Sequence, residues 1–177
     1  MVKQVVILNL PMYNTRMKWF NYYGLAIVVL FLVPNIIFAF KNRSAFENGY
    51  KNKILELFEQ IGRYGCFILM IFNIPYTYFN FWFEHALIVY LAVDFSLLAI
   101  YLLSWAFYSK LGTIARSLIL SIVLSIIFLA SGVLLANIPL LVCAVIFTVC
   151  HITLSYKNAV LSTKKEQKIQ NKENDNL

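Results

Sequence analysis

The chain has 177 residues, of which 61% are apolar and 13% charged, and its formal net charge is +7. Soluble domains contain roughly half apolar and a quarter charged residues, so this composition excludes an ordinary soluble globular protein. Most basic residues lie in loops and tails beside apolar stretches, where anionic lipid headgroups account for them, so the charge does not indicate nucleic-acid binding.

Five long apolar stretches fill most of the sequence. A helix needs about 20 apolar residues to cross hydrocarbon, because its backbone polar groups must be satisfied within the segment. We therefore expect an all-α, polytopic membrane protein, with one transmembrane domain over residues 1–157 and a polar cytoplasmic tail over residues 158–177. The predicted bundle of five transmembrane helices has spans at residues 20–40, 64–79, 86–108, 117–136 and 138–156.

A cytoplasmic amphipathic helix is predicted at residues 51–63, in the longest polar connection. Its apolar residues recur at helical spacing, and they are Ile54, Leu57, Phe58 and Ile61. We expect this helix to lie on the membrane surface or against the bundle. Glu59 and Arg63 have the i,i+4 spacing of an ion pair, which could bind a lipid headgroup, gate a cytoplasmic opening or remain a simple surface pair.

Spans 1 and 2 each carry an asparagine close to a proline. Asn35 follows Pro34 directly, and Asn73 precedes Pro75 by two residues. A proline in a membrane helix frees a backbone carbonyl, and transporters use such broken helices to hold substrates or ions near the midplane. Proline kinks that serve helix packing alone are the alternative interpretation.

Asp94 is an acidic residue inside span 3, about 12 Å from the start of the span at 1.5 Å per residue. An intramembrane carboxylate is costly, so it usually faces the bundle interior or a water-filled path. Tyr90 and Tyr101 fall on the same helical face, which predicts a polar path lined by these residues together with Asn35 and Asn73. The alternative is a protonated aspartate that hydrogen-bonds a tyrosine or an asparagine and only holds helices together.

The two histidines of the chain lie at different depths. Glu84 and His85 begin span 3 at the outer interface, where they could sense pH, conduct protons or simply start a solvated helix. His151 lies in span 5 beside Cys150, and we expect a buried neutral histidine that is bonded to a hydroxyl group. Adjacent Cys and His side chains on a helix point about 100° apart, so we predict no metal site.

Span 4 carries small residues on one face, with Ser117, Ser121 and Ser125 spaced four apart. This spacing lets helices approach closely, either within the chain or in a homo-oligomer or a complex with another membrane protein. Asn137 and Pro139 suit the cap and the first turn of the next helix, so spans 4 and 5 are predicted to form a tight hairpin.

The predicted orientation follows from the distribution of Lys and Arg, which favour cytoplasmic loops. Most of them follow spans 1, 3 and 5, which predicts a cytoplasmic carboxyl end and an amino end outside. The three basic residues before span 1 oppose this assignment. We place the protein in a plasma membrane, and the small size and the Lys-, Asn- and Ile-rich composition suggest a bacterial one.

The sequence contains no motif that identifies a reaction: it has no P-loop, no HExxH, no GxSxG and no dinucleotide-binding fingerprint. We therefore expect no cofactor. The leading hypothesis is a small transport-related protein with a polar path around Asp94. The alternative is a non-enzymatic accessory, regulatory or immunity-type protein that binds a lipid or a protein partner through its basic loop and tail. A membrane enzyme is the third hypothesis.

Overall fold

The computed structural model describes residues 19–41, 50–74, 85–107 and 113–174. These residues form five α-helices and no strand, which confirms the all-α prediction. The helices are α1 (Tyr22–Lys41), α2 (Lys53–Ile71), α3 (Ala86–Ala106), α4 (Thr113–Leu134) and α5 (Ile138–Asn174). They pack side by side as a closed ring, in the order α1, α2, α5, α4, α3 and back to α1.

Three helices in the described part of the chain are long and apolar enough to cross a membrane. They are α3, α4 from Ile114 onward, and α5 up to Lys165, while α1 contains a shorter apolar segment, Tyr22–Phe38. All five helices also expose large apolar side chains, of which examples are Ile37, Ile61, Leu103, Ile122 and Val145. An apolar surface this extensive is unusual for a protein in water, so it agrees with location in a membrane.

α2 joins two elements that the sequence pattern separates. The predicted amphipathic helix and the first half of predicted span 2 form one continuous helix, Lys53–Ile71. It begins at Asn52, whose side-chain oxygen accepts a 3.2 Å hydrogen bond from the Leu55 backbone nitrogen and so caps the helix. The second half of predicted span 2, with Pro75, lies outside the described residues.

Two glycines bring α2 and α5 into close contact. A Cβ placed on Gly62 would lie 2.8 Å from the Phe147 backbone nitrogen, and one on Gly65 would lie 2.7 Å from Cys143 Sγ. The missing side chains therefore let the two backbones approach along an antiparallel contact. Small residues serve the same purpose at other interfaces between membrane helices.

The predicted hairpin between spans 4 and 5 is confirmed. Ala136 takes a left-handed conformation with φ of 49°, and Asn137 then caps α5 by accepting a 3.0 Å hydrogen bond from the Leu140 backbone nitrogen.

α5 runs without a break to Asn174, so most of the predicted polar tail is helical. At 1.5 Å per residue its 37 residues measure about 55 Å, well beyond a hydrocarbon core of about 30 Å.

Candidate functional site

Asp94 lies fully buried at the contact between α3 and α4. Ser131 Oγ on α4 donates a 2.6 Å hydrogen bond to Asp94 Oδ2. Asp94 Oδ1 is buried and has no hydrogen-bond partner among the described residues. The inward position of this carboxylate agrees with the sequence prediction, but its partner is a serine and not a tyrosine or an asparagine.

Two more buried polar groups lie near this carboxylate. Tyr90 sits one helical turn before Asp94 on the same buried face of α3, close enough to interact with both Asp94 and Asn21. Neither the Tyr90 hydroxyl nor Asn21 Nδ2 has a hydrogen-bond partner of ordinary geometry in the described part of the chain. We call Asp94, Ser131, Tyr90 and Asn21 the Asp94 cluster.

The side-chain oxygen of Asn21 already accepts hydrogen bonds at the start of α1. Its Oδ1 accepts 3.1 Å hydrogen bonds from the backbone nitrogens of Tyr23 and Gly24, so its amide group caps the helix. Only the amide nitrogen, Nδ2, remains available to donate a hydrogen bond within the Asp94 cluster. Sequence reasoning missed Asn21, because it stands among the interfacial aromatic residues that precede span 1 and lies far from Asp94 in sequence.

Asn73 lies at the same end of the bundle as the Asp94 cluster. It is 5% exposed, and its backbone nitrogen donates a 2.9 Å hydrogen bond to the Trp19 carbonyl. The adjacent Asn21 nitrogen donates to Ile71 in the same way, so short backbone links join the start of α1 to the end of α2. These contacts place Asn73 near Asn21.

Asn35 and Tyr101 form a separate pair between α1 and α3. The Tyr101 hydroxyl lies 2.8 Å from Asn35 Nδ2 and 3.0 Å from Asn35 Oδ1. α1 continues through Pro34 as a helix, and Asn35 Nδ2 also donates to the Phe31 carbonyl at 3.0 Å. Asn35 therefore does not join Asp94. The five residues of the predicted path occupy two levels of the bundle.

A layer of aromatic side chains separates these two levels. It consists of Phe31, Phe67, Phe128 and Phe147, which come from α1, α2, α4 and α5, and its neighbouring ring centroids lie between 5.1 and 5.9 Å apart. We call this set the phenylalanine layer. Close-packed edge-to-face rings of this kind leave no polar atom in the layer for a hydrated ion to use.

Glu59 forms a second buried ionic cluster on the other side of that layer. The side chain is 5% exposed, and its Oε1 accepts hydrogen bonds from Arg63 on α2 and, at 2.9 Å, from His151 Nδ1 on α5. The ion pair with Arg63 is present, as the i,i+4 spacing predicts. The expectation that His151 bonds a hydroxyl group is wrong, since its partner is a carboxylate.

The other predicted site residues take simpler positions. His85 precedes α3 and makes no capping hydrogen bond with its side chain, while Glu84 lies outside the described residues. Ser121 and Ser125 are buried and donate hydrogen bonds to carbonyls of their own helix, whereas Ser117 Oγ donates to the Ser155 carbonyl on α5 at 3.1 Å. Ser121 and Ser125 therefore lie inside the bundle.

Lys157 is held at the end of the apolar part of α5. Its ammonium group donates a 3.0 Å hydrogen bond to the Tyr50 hydroxyl and lies 4.2 Å from the centroid of that ring. The hydrogen bond from Lys157 and its positive charge lower the pKa of the Tyr50 phenol below its ordinary value. The side-chain oxygen of Asn158 also accepts a 2.9 Å hydrogen bond from the Tyr50 backbone nitrogen. These contacts hold the segment before α2 against α5.

Within the four described ranges, no three His, Cys, Asp or Glu side chains come together as metal ligands. Comparisons of the chain with protein-family models, with curated proteins and with solved structures gave no match. The features that bear on its function are therefore the Asp94 cluster, the buried Glu59 with its partners, and the surface of the helices.

Proposed function

We propose that this chain is a small, multi-pass membrane protein with a transport-related function, in which the Asp94 carboxylate binds and releases a proton. The observation that carries the proposal is the state of the Asp94 cluster. Three buried polar atoms, Asp94 Oδ1, Tyr90 Oη and Asn21 Nδ2, face one region of an apolar bundle without ordinary hydrogen-bond partners in the described residues.

The cost of burial supports a role beyond packing. A buried polar group without a partner costs about 1–3 kcal/mol, and an ionised carboxylate costs more. A purely structural aspartate would be expected to use both carboxylate oxygens in hydrogen bonds, whereas Asp94 uses one. Ionisable groups retained inside membrane helices commonly mark proton or ion pathways.

The donor set favours a proton over a metal cation. A hard cation is usually held by six or more oxygen ligands. Asn21 Oδ1 is occupied by the α1 cap, and the Asn21 group left over is a nitrogen donor that cannot bind a cation. An ionised carboxylate accepts from donors such as Asn21 and Tyr90, while a protonated carboxylic acid can itself donate.

The exposed apolar faces of α1 and α2 support placing all five helices in the bilayer. Ile36 and Ile37 on α1, and Phe58 and Ile61 on α2, point away from the bundle. In our arrangement the lipid covers these side chains, and the basic end of α5 lies in the cytoplasm of a bacterial cell. The amino end then lies outside.

Proton flux into liposomes tests the proposal directly. Purified protein is reconstituted with a pH-sensitive dye inside the vesicles, and a potassium gradient with valinomycin sets the membrane potential. We expect Asp94→Asn to lower the protein-dependent flux at least about 10-fold, the effect of losing about 1.4 kcal/mol or more. The matched control is Ser125→Ala, since Ser125 is buried but bonds only its own helix. Equal flux in wild type and Asp94→Asn would contradict the proposal.

A second candidate function, docking of a partner protein, is favoured by the far end of α5. The helix continues past Lys157, and Lys164, Lys165 and Lys168 are exposed there. They lie about 10–17 Å beyond Lys157 along the helix axis. That distance exceeds the Debye length of about 8 Å, so the lysines are better placed to meet an acidic protein segment than the lipid headgroups.

Truncation separates the two functions. A chain that ends at Leu161 keeps the Tyr50 contacts of Lys157 and Asn158 and loses the exposed lysines. Equal proton flux in wild type, Asp94→Asn and the truncated chain would favour docking. Loss of proton flux in Asp94→Asn, together with normal proton flux in the truncated chain, would favour transport.

A further inference from the structure

Glu59 of α2 lies inside the bundle, while several apolar residues of the same helix point outward. Ile54, Leu57, Phe58 and Ile61 are exposed, whereas Glu59 is 5% exposed. An amphipathic helix in water would instead expose this carboxylate and bury the apolar side chains. Lipid around α2 explains the arrangement, since the apolar side chains then contact hydrocarbon and Glu59 is shielded by the other helices.

Glu59 is therefore a second carboxylate inside the bundle, and its surroundings differ from those of Asp94. Arg63 and His151 both donate to the same oxygen, Glu59 Oε1. Arg63 is always charged, so it holds the carboxylate in the ionised form. Among the described residues that contact Glu59, His151 carries the side chain whose type changes charge near neutral pH.

The positions of the two clusters follow from the order of residues along the helices. On α4, Phe128 lies three residues before Ser131. On α5, which runs in the opposite direction, His151 lies four residues after Phe147. Gly132 of α4 packs against Leu141 of α5, which aligns the two helices. His151 then lies about 14 Å along the axis from the level of Ser131. Two other parts of the chain also have a phenylalanine between two polar residues. Asn21, just before α1, is followed by Phe31 and Asn35 of α1, and Arg63 and Phe67 of α2 are followed by Asn73, just after that helix.

We infer that Glu59, Arg63 and His151 form a second proton-binding site, on the opposite side of the phenylalanine layer from Asp94, with His151 as the group that takes up the proton. This inference rests on the proposed proton-linked function of Asp94. The chain then carries one proton-binding site on each side of an apolar barrier, so each site lies closer to a different end of the bundle.

The chemistry at this site needs one proton and no other reactant. In the neutral ring, His151 Nδ1–H donates to Glu59 Oε1, and Nε2 carries the free lone pair. A proton from the aqueous side forms a bond to Nε2 and gives an imidazolium, whose counter-ion is Glu59. Release of the same proton restores the neutral ring. The His151 ring is stacked on Phe147, with centroids 4.5 Å apart, so the ring has a fixed orientation during this exchange.

The other groups that face the site do not compete for this role. Cys150 on α5 is close enough to Glu59 to feel its charge, and Tyr101 on α3 is close enough to feel that of Arg63. A thiol and a phenol have ordinary pKa values of about 8.5 and 10, so both stay neutral over the range in which a histidine titrates.

The first experiment is an NMR titration of His151 in detergent micelles, with the imidazole carbons labelled. His85 supplies the second signal, and His151→Gln assigns the two. The titration covers pH 5 to about 8, the range in which histidines ordinarily change charge, and we expect proton uptake at Nε2 to change the His151 signals. Glu59→Gln should alter this response, because the counter-ion of the imidazolium is removed. A His151 signal that does not change over this range, in the folded wild-type protein, would overturn the inference.

The second experiment measures proton flux in the same liposomes that test Asp94. We expect His151→Gln to lower the flux at least about 10-fold and to remove its pH dependence between pH 5 and 8. The matched control is Ser125→Ala, and the elution volume and helical content of each variant report folding. Flux that Asp94→Asn abolishes and His151→Gln leaves unchanged would overturn this inference and retain the function of Asp94. Flux that neither substitution changes would overturn both.

Discussion

Ser131 donates a 2.6 Å hydrogen bond to Asp94, and this bond joins α4 to α3 inside the bundle. It is the one hydrogen bond to the Asp94 carboxylate that the described residues supply, since the second carboxylate oxygen has no partner there. The serine hydroxyl therefore decides both the orientation of the carboxylate and part of the stability of this interface.

Ser131→Ala should destabilise the folded protein, because it leaves both oxygens of a buried carboxylate without a partner. We expect a loss of about 1–2 kcal/mol in the free energy of unfolding, the range found for single hydrogen bonds in proteins and between membrane helices. Thermal unfolding in detergent, followed by circular dichroism, measures the change. The control is Ser125→Ala, whose hydroxyl bonds only a carbonyl of its own helix, and a larger loss there than at Ser131 would contradict the argument.

Gly62→Ala should separate α2 from α5. The added methyl group would lie 2.8 Å from the Phe147 backbone nitrogen, which is closer than real Cβ contacts allow. We expect a loss of about 1–3 kcal/mol, typical of overpacking, despite the better helix propensity of alanine. Chemical denaturation in detergent measures it.

Gly132→Ala is the matched control for that substitution. It lies in the contact between α4 and α5, and its added Cβ would be 3.2 Å from the Leu141 backbone, so the neighbour needs to shift by only a few tenths of an ångström. We expect a smaller loss than at Gly62, or a small gain. An equal loss at both positions would mean that close approach does not distinguish the two interfaces.

Phe128→Ala should open the phenylalanine layer. Phe128 is fully buried and contacts Phe31, Phe67 and Phe147. Its truncation leaves a cavity that costs about 3–5 kcal/mol and weakens the barrier between the two polar clusters. We expect faster passive proton leak in liposomes.

The control for the leak is Phe128→Leu, which keeps most of the buried volume and should keep the barrier closed. Both variants must be compared at a temperature at which each remains folded, as judged by circular dichroism. A folded Phe128→Ala protein with no more leak than wild type would show that this layer is not the barrier.

Asn35→Leu should leave the Tyr101 hydroxyl without its partner on α1. The hydroxyl is close to Asn35 in two contacts, at 2.8 and 3.0 Å, and Tyr101 is buried. Loss of a buried hydrogen bond costs about 0.5–1.5 kcal/mol, so the variant should unfold at a lower temperature. The double variant Asn35→Leu with Tyr101→Phe should recover part of that loss, because both polar groups are then gone. No recovery would argue that the pair is not coupled.

Several features of the fold could be predicted from local pattern alone. The helical character of the chain, the inward position of Asp94 and the cap at Asn137 depend on residues within one or two helical turns of each other. The ion pair of Glu59 with Arg63 belongs to the same class, since it joins residues on one turn of α2. Local spacing is sufficient for such contacts.

The contact between Glu59 and His151 could not be predicted in this way. The two residues are 92 positions apart, and the contact exists because Gly62 lets α2 approach α5 in one particular alignment. The sequence pattern also indicated an end to the amphipathic helix where α2 in fact continues, because a hydropathy change at Arg63 resembles a boundary. The helix instead continues into a segment whose buried residues are Cys66, Leu69 and Met70.

The sequence by itself determined that the chain is helical and that several of its segments are apolar enough to cross a membrane, because hydropathy and helical periodicity are properties of short segments. Which polar side chains meet was decided by tertiary structure alone. Each buried charge must find its partner on a neighbouring helix, and helix order, glycine contacts and the phenylalanine layer together select Ser131 for Asp94 and His151 for Glu59.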